Sequence, residues 1–234
     1  MSINIHKYKE ILAELNGKAT LVAVSKTKPI EDIRALYDLG QRDFGENYVQ
    51  ELTDKYEQLP KDIRWHFIGH LQSNKVKFIA PFIHLIHGVD SFSLLKEINK
   101  QALKNNRVIN CLLQIHIAKE ETKFGLSSHE LQELTRMIEA DTNLKNVFVQ
   151  GLMGMASFSN NMNLVRSEFG YLKNLYDENT ALSTVNLPTG QAGCQLSTLS
   201  MGMSADYKTA LEEGSNLVRI GSLIFGERHT TSGL

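Results

Sequence analysis

The chain has 234 residues, 42% hydrophobic and 22% charged, the profile of a globular protein with a sizeable core, in one barrel or two small domains. Its 25 Lys and Arg face 26 Asp and Glu, a formal net charge of -1, which removes any global electrostatic case for nucleic acid or an anionic membrane. Cys111 and Cys194 lie in apolar stretches, no signal-peptide layout opens the chain, and no run approaches the roughly 20 apolar residues of a membrane helix, so a soluble, reduced, cytoplasmic protein is expected.

Ile5, Tyr8, Leu12 and Leu15 recur at helical spacing before a stop at Gly17, predicting one amphipathic helix ahead of the first strand. The run LVAVSK from Leu21 reads as that strand, and Ile30, Ile33 and Tyr37 after Pro29 as its helix. Short β-rich runs follow at about 42–46, 65–69 and 85–90, then longer apolar runs at about 109–117, 147–155, 195–200 and 217–225. Between them, Phe92, Leu95, Ile98 and Ala102 form one helical stripe. Leu131, Leu134 and Ile138 form another behind a capping-box pattern at Ser127 and Glu130. The strands read as apolar on both faces, as in a parallel sheet with helices outside and a core inside. Eight such units without a linker predict a single-domain (β/α)8 barrel over 1–234 with an extra N-terminal helix. A doubly wound open sheet is the rival, disfavoured by the count of eight and by the absence of a Gly-rich dinucleotide fingerprint after the first strand.

Reactive side chains of such a barrel sit at the C-terminal ends of its strands. The first strand ends on Lys26, which either snorkels to solvent or sits at the mouth with a lowered pKa, as a nucleophile toward an aldehyde. Lys28, next to Pro29, lies past the strand. Asn47, in the FGENY segment, either bonds a cofactor oxygen or caps the next helix. His66 and His70 invite a metal reading, but residues four apart on a strand are about 13 Å apart, too far for one ion, so no metal is expected. In GLMGMAS, ending on Ser157, small residues allow close approach of a planar ligand or simply pack a turn. LSMGMS, beginning with Leu199 and Ser200, and RIGS, with Arg219, Gly221 and Ser222, bring glycines and hydroxyls to the loops after strands 7 and 8. Each alone reads as a capping turn; together they make a phosphate cradle. A ligand with phosphate at one end and an aldehyde at the other then spans to Lys26, and pyridoxal 5′-phosphate is such a ligand. Arg219, facing its pyridine nitrogen, could only donate a hydrogen bond and would leave that nitrogen unprotonated.

AVSKTKP, FGENYVQE, WHFIGHLQSNK, GLMGMAS, LSMGMSADY and VRIGSLIFGER, in this order over nearly the whole chain, resemble the YggS-like pyridoxal phosphate homeostasis proteins. The resemblance implies a barrel like the N-terminal domain of alanine racemase, a Schiff base on Lys26, and a role in keeping the cofactor available without robust catalysis. It assigns Ser200, Gly221 and Ser222 to phosphate and Arg219 to the pyridine nitrogen, with Asn47 and Ser157 also at the cofactor. A pyridoxal phosphate-dependent amino-acid racemase is the alternative. Racemisation needs acid/base groups on both faces of the substrate carbon, and in alanine racemase the second comes from a partner's additional domain, for which this sequence shows no counterpart. A lysine aldolase acting on a sugar phosphate would place its lysine on a later strand. A monomer or weak dimer serving apo-enzymes that depend on the cofactor is expected.

Overall fold

A computed structural model of the chain describes residues 3–120, 124–182 and 194–226. After the opening helix α1 (Ile5–Leu15) come eight strands: β1 (Thr20–Val24), β2 (Asp43–Glu46), β3 (Arg64–Phe67), β4 (Leu85–Val89), β5 (Ile109–Ile115), β6 (Val147–Gly154), β7 (Cys194–Ser200) and β8 (Leu217–Ile220). Each is followed by a helix: α2 (Ile30–Asp38), α3 (Val49–Gln58), α4 (Val76–Ile79), α5 (Phe92–Lys104), α6 (Ser128–Ala140), α7 (Met162–Leu182), α8 (Tyr207–Glu212) and α9 (Ser222–Phe225). The strands pair in parallel in chain order and close into a barrel where β1 meets β8, with Leu21 opposite Val218 and Val22 opposite Arg219. The architecture is the (β/α)8 barrel expected from the alternation. Among the described residues no helix is long and apolar enough to cross a membrane.

Local chemistry explains most of the helix ends. Ser127 accepts from the Glu130 N–H while the Glu130 carboxylate accepts from the Ser127 N–H, so both halves of the capping box at α6 form. Asn4 caps α1 by accepting from the Lys7 N–H at 2.9 Å. The buried face of α1 is Tyr8, Ile11 and Leu15, while Ile5 and Leu12 are exposed, so the stripe read from the sequence is rotated by part of a turn. Tertiary docking sets that rotation: the Asn4 N–H donates to the Ile224 carbonyl of α9 and the Tyr8 hydroxyl to Gln41. The last strand is also shorter than its apolar run suggested. It stops at Ile220, and the run's remainder turns into α9.

Two apolar cores result. The larger fills the layer between strands and helices and includes Trp65, fully buried and tilted against Phe44 with ring centroids 6.0 Å apart. The smaller, Val22, Leu85, Leu112, Met153 and Leu217, is enclosed by the strands. Contrary to the expectation of strands apolar on both faces, the interior also carries Asp43, His66, His87, Ser200 and Arg219, all buried and bonded to one another in sequence. Close strand contact also needs Gly151: a Cβ there would stand 1.8 Å from the Thr198 carbonyl oxygen, where the register of β6 slips against β7.

Candidate functional site

The C-terminal ends of the strands surround a cavity of about 640 Å³. Of the seven residues singled out in the sequence, Lys26, Asn47, Ser157, Arg219, Gly221 and Ser222 line it. Ser200 does not.

Lys26 sits two residues beyond β1, half-buried, on a turn closed by the Lys28 N–H donating to the Ser25 carbonyl at 3.0 Å. Thr27 takes φ 62° on this turn, a left-handed conformation that costs a β-branched residue about 1–3 kcal/mol. What holds the turn is a buried ionic cluster. The Lys55 ammonium donates to the Ser25 carbonyl at 2.8 Å and to the Glu46 and Glu51 carboxylates at 2.8 and 2.6 Å. The Ser25 hydroxyl donates to Glu46 at 2.5 Å, and the Thr27 N–H to Glu51 at 2.6 Å. Burial raises the Glu46 carboxyl to about 7, against the downward pull of Lys55, and its Oε2 is buried without a hydrogen-bond partner. Lys28, the competing lysine, donates to the Phe225 and Gly226 carbonyls at the end of α9.

On the neighbouring strand β8, Arg219 is 4% exposed, its guanidinium pushed down to about 10 by burial, with Asp206 acting upward, so it stays charged at neutral pH. Its Nη1 donates to the Ser200 carbonyl and hydroxyl at 3.0 and 2.5 Å, and Nη2 to the Gly154 carbonyl at 3.1 Å. Ser200, expected at the phosphate, is turned inward by strand alternation beneath Arg219, with no exposed surface. The serine of that motif which reaches the cavity is Ser204, whose Oγ accepts from the Gly221 N–H at 3.3 Å. Gly202 makes the bend between the two serines, with φ 95° and room for no Cβ, since one would stand 2.6 Å from Ala210 Cβ. Ser204 was visible in LSMGMS, but the sequence alone does not say which serine the strand turns inward.

Asn47 is not a helix cap. The position before α3 is Tyr48, which makes no side-chain cap bond, and Asn47 Oδ1 is buried in the cavity wall with no hydrogen-bond partner. Ser157 lines the cavity, but its hydroxyl donates to Glu168 at 2.7 Å, as does its N–H, so it fastens the loop after β6 to α7. At the other end of the barrel Asp43, His66 and His84 offer ligand atoms within 4.8 Å of one another. Arg64 already holds both Asp43 oxygens, at 2.7 and 2.5 Å, and His66 one of them at 3.0 Å. His70, four residues on, stacks on Phe124 instead.

The model of the alanine racemase N-terminal domain family matches residues 3–229. A pyridoxal phosphate homeostasis protein of Aquifex aeolicus is 44% identical over 211 residues, covering 90% of this chain and 87% of its own. The human protein of that name is 40% identical over 218 residues, covering 89% and 76%. Among solved structures, Synechococcus elongatus PipY with pyridoxal phosphate bound superposes with a TM-score of 0.83 at 30% identity, over 94% of this chain and 99% of its own. An alanine racemase of Clostridium difficile, 13% identical with a TM-score of 0.71, shares the fold over 98% of this chain and 58% of its own.

Proposed function

This chain belongs to the pyridoxal phosphate homeostasis proteins of the alanine racemase N-terminal domain family, and from that premise we propose that it binds pyridoxal 5′-phosphate and keeps it in reserve for enzymes that need it. The observation that carries the reading is the pairing of one amine, Lys26, with one buried guanidinium, Arg219, in the wall of a single cavity.

The residues present fit the cofactor, which when bound supplies an aldehyde that condenses with an amine and a ring that accepts electrons. Lys26 would present the amine to that aldehyde from its clamped turn. The Ser204 and Ser222 hydroxyls, beside Gly221, would hold phosphate, in place of the set with Ser200 expected from the sequence. Asn47, whose buried oxygen is unsatisfied, accepts from a ring substituent. Arg219 has five N–H donors and no acceptor, so toward a ring nitrogen it could only donate, which would keep a proton off that nitrogen and make the ring a weaker electron sink.

A reserve rather than a catalyst is supported by how the wall is committed. Among its described residues the titratable side chains are Lys26, Lys28, Asp206 and Arg219. Lys28 is spent on the α9 carbonyls, and Asp206 accepts from the Met203 N–H at 2.6 Å. Racemisation asks for an acid/base group on each face of the substrate carbon. Borohydride treatment of the loaded protein is expected to bleach the visible band and leave the added mass on the Lys26 peptide; a Lys26→Ala protein that keeps the band overturns the assignment. Cofactor should reach an added apo-enzyme faster than it escapes into buffer, and steady racemisation of alanine above the free-cofactor background would refute the non-catalytic reading.

A further inference from the structure

Below Arg219 the barrel interior holds a file of polar groups running toward its opposite end. Ser200 Oγ lies 3.4 Å from His87 Nδ1, His87 Nε2 lies 2.9 Å from His66 Nδ1, and His66 Nε2 lies 3.0 Å from Asp43 Oδ1. Ser200 and His87 are wholly buried, His66 is 2% exposed and Asp43 7%. The file ends where Asp43, Arg64 and His84 line a second cavity, of about 600 Å³, at the N-terminal mouth. A polar file of this length inside a barrel core is costly unless every member is satisfied.

With His66 neutral, the donors and acceptors close in one direction only. Arg64 and His66 hold the Asp43 carboxyl well below the usual carboxylate range despite its burial, so it accepts and does not donate. His66 must then carry its proton on Nε2, which leaves Nδ1 as an acceptor. His87 must donate to it from Nε2, which makes His87 Nδ1 an acceptor in turn. The Ser200 hydroxyl gives its proton to that nitrogen and turns its lone pairs to the Arg219 guanidinium, which can only donate. Burial, with the charged Arg219 nearby, lowers His87 well below its ordinary value, in keeping with the neutral ring this sequence of bonds needs.

We propose that Asp43, His66 and His87 are positioning residues: a one-way hydrogen-bond chain that fixes the Ser200 hydroxyl as an acceptor for Arg219 and so locks the guanidinium in place in the cavity wall. Of the five guanidinium N–H groups, the Ser200 carbonyl and hydroxyl and the Gly154 carbonyl take three, leaving Nε–H and one Nη2–H for the cavity. The inference deepens the reading of Arg219 as partner of the ring nitrogen and rests on it.

Full-length protein labelled with ¹⁵N-histidine tests the chain directly, with and without cofactor. Both His66 and His87 are expected as neutral Nε2–H tautomers; an Nδ1–H tautomer or a charged ring at either overturns the proposal. His87→Phe keeps an aromatic ring but breaks the chain, and should lose bound cofactor about tenfold faster, the worth of one hydrogen bond to a charged group, with a shifted visible band. His87→Gln, with one acceptor and one donor, should restore both. A folded His87→Phe protein with unchanged band and retention overturns the proposal, and should that variant not fold, the wild-type tautomers decide. Borohydride trapping on Lys26 in the same wild-type sample tests the functional reading separately, because the tautomers do not depend on it.

Discussion

Glu46 has the most telling titration in the molecule. Its carboxyl stands near 7 in the folded protein against an ordinary 4.5, because burial outweighs Lys55. Between those values the folded state keeps a proton that the unfolded chain has released, so stability falls as pH rises from about 4.5 through 7. Glu46→Gln should remove that slope, and denaturant midpoints at several pH values across the window measure it; an unchanged slope would place the titration elsewhere. Strand ends announce themselves in the sequence, as at Lys26 and Arg219, and the structure brings both to one cavity wall. LSMGMS offers two serines, and only the inward turn of Ser200, beneath Arg219, separates them. His87 gave no signal at all: a histidine within LIHGV has no reason to stand out until β3, β4 and β7 bring His66 and Ser200 to its two nitrogens.

The elements were read best where local chemistry decides them. Ser127 and Glu130 spell out a cap, and both of its bonds form. Ser127→Ala should cost about 1 kcal/mol, seen as a lower denaturant midpoint at unchanged slope. Where packing decides, the sequence misleads. The face of α1 is rotated by its docking on α9. The apolar run from Leu217 to Phe225 is divided at Gly221, because strand and helix in a barrel are both buried and hydrophobicity does not tell them apart. β2 and β3, each four residues long, were located by their place in the alternation, yet DFGE and RWHF carry Asp43 and His66 into the interior. Apolar periodicity has no means of reporting a polar interior.

At the scale of the whole molecule, the cavity draws on both sides of the barrel seam: Lys26 follows β1, and Arg219, Gly221 and Ser222 belong to β8 and its loop. A cofactor held across the seam binds the closed barrel and not the open chain, so it should raise the melting temperature. The gain is about 2.7 kcal/mol at a hundredfold excess over Kd. Thermal scans with and without pyridoxal phosphate measure it, and Lys26→Ala should lose most of the shift. Trp65 makes such an event visible in another way. It is the chain's single tryptophan, sealed between the barrel and its helices against Phe44, on the outer side of the strand that sends His66 inward. The indole therefore emits from behind a wall of backbone, out of contact with whatever fills the mouth. A chromophore seated there takes up its light through space, dimming the emission at constant colour, while any parting of the helices from the barrel admits water and reddens it. One fluorophore thus tells occupancy from loosening.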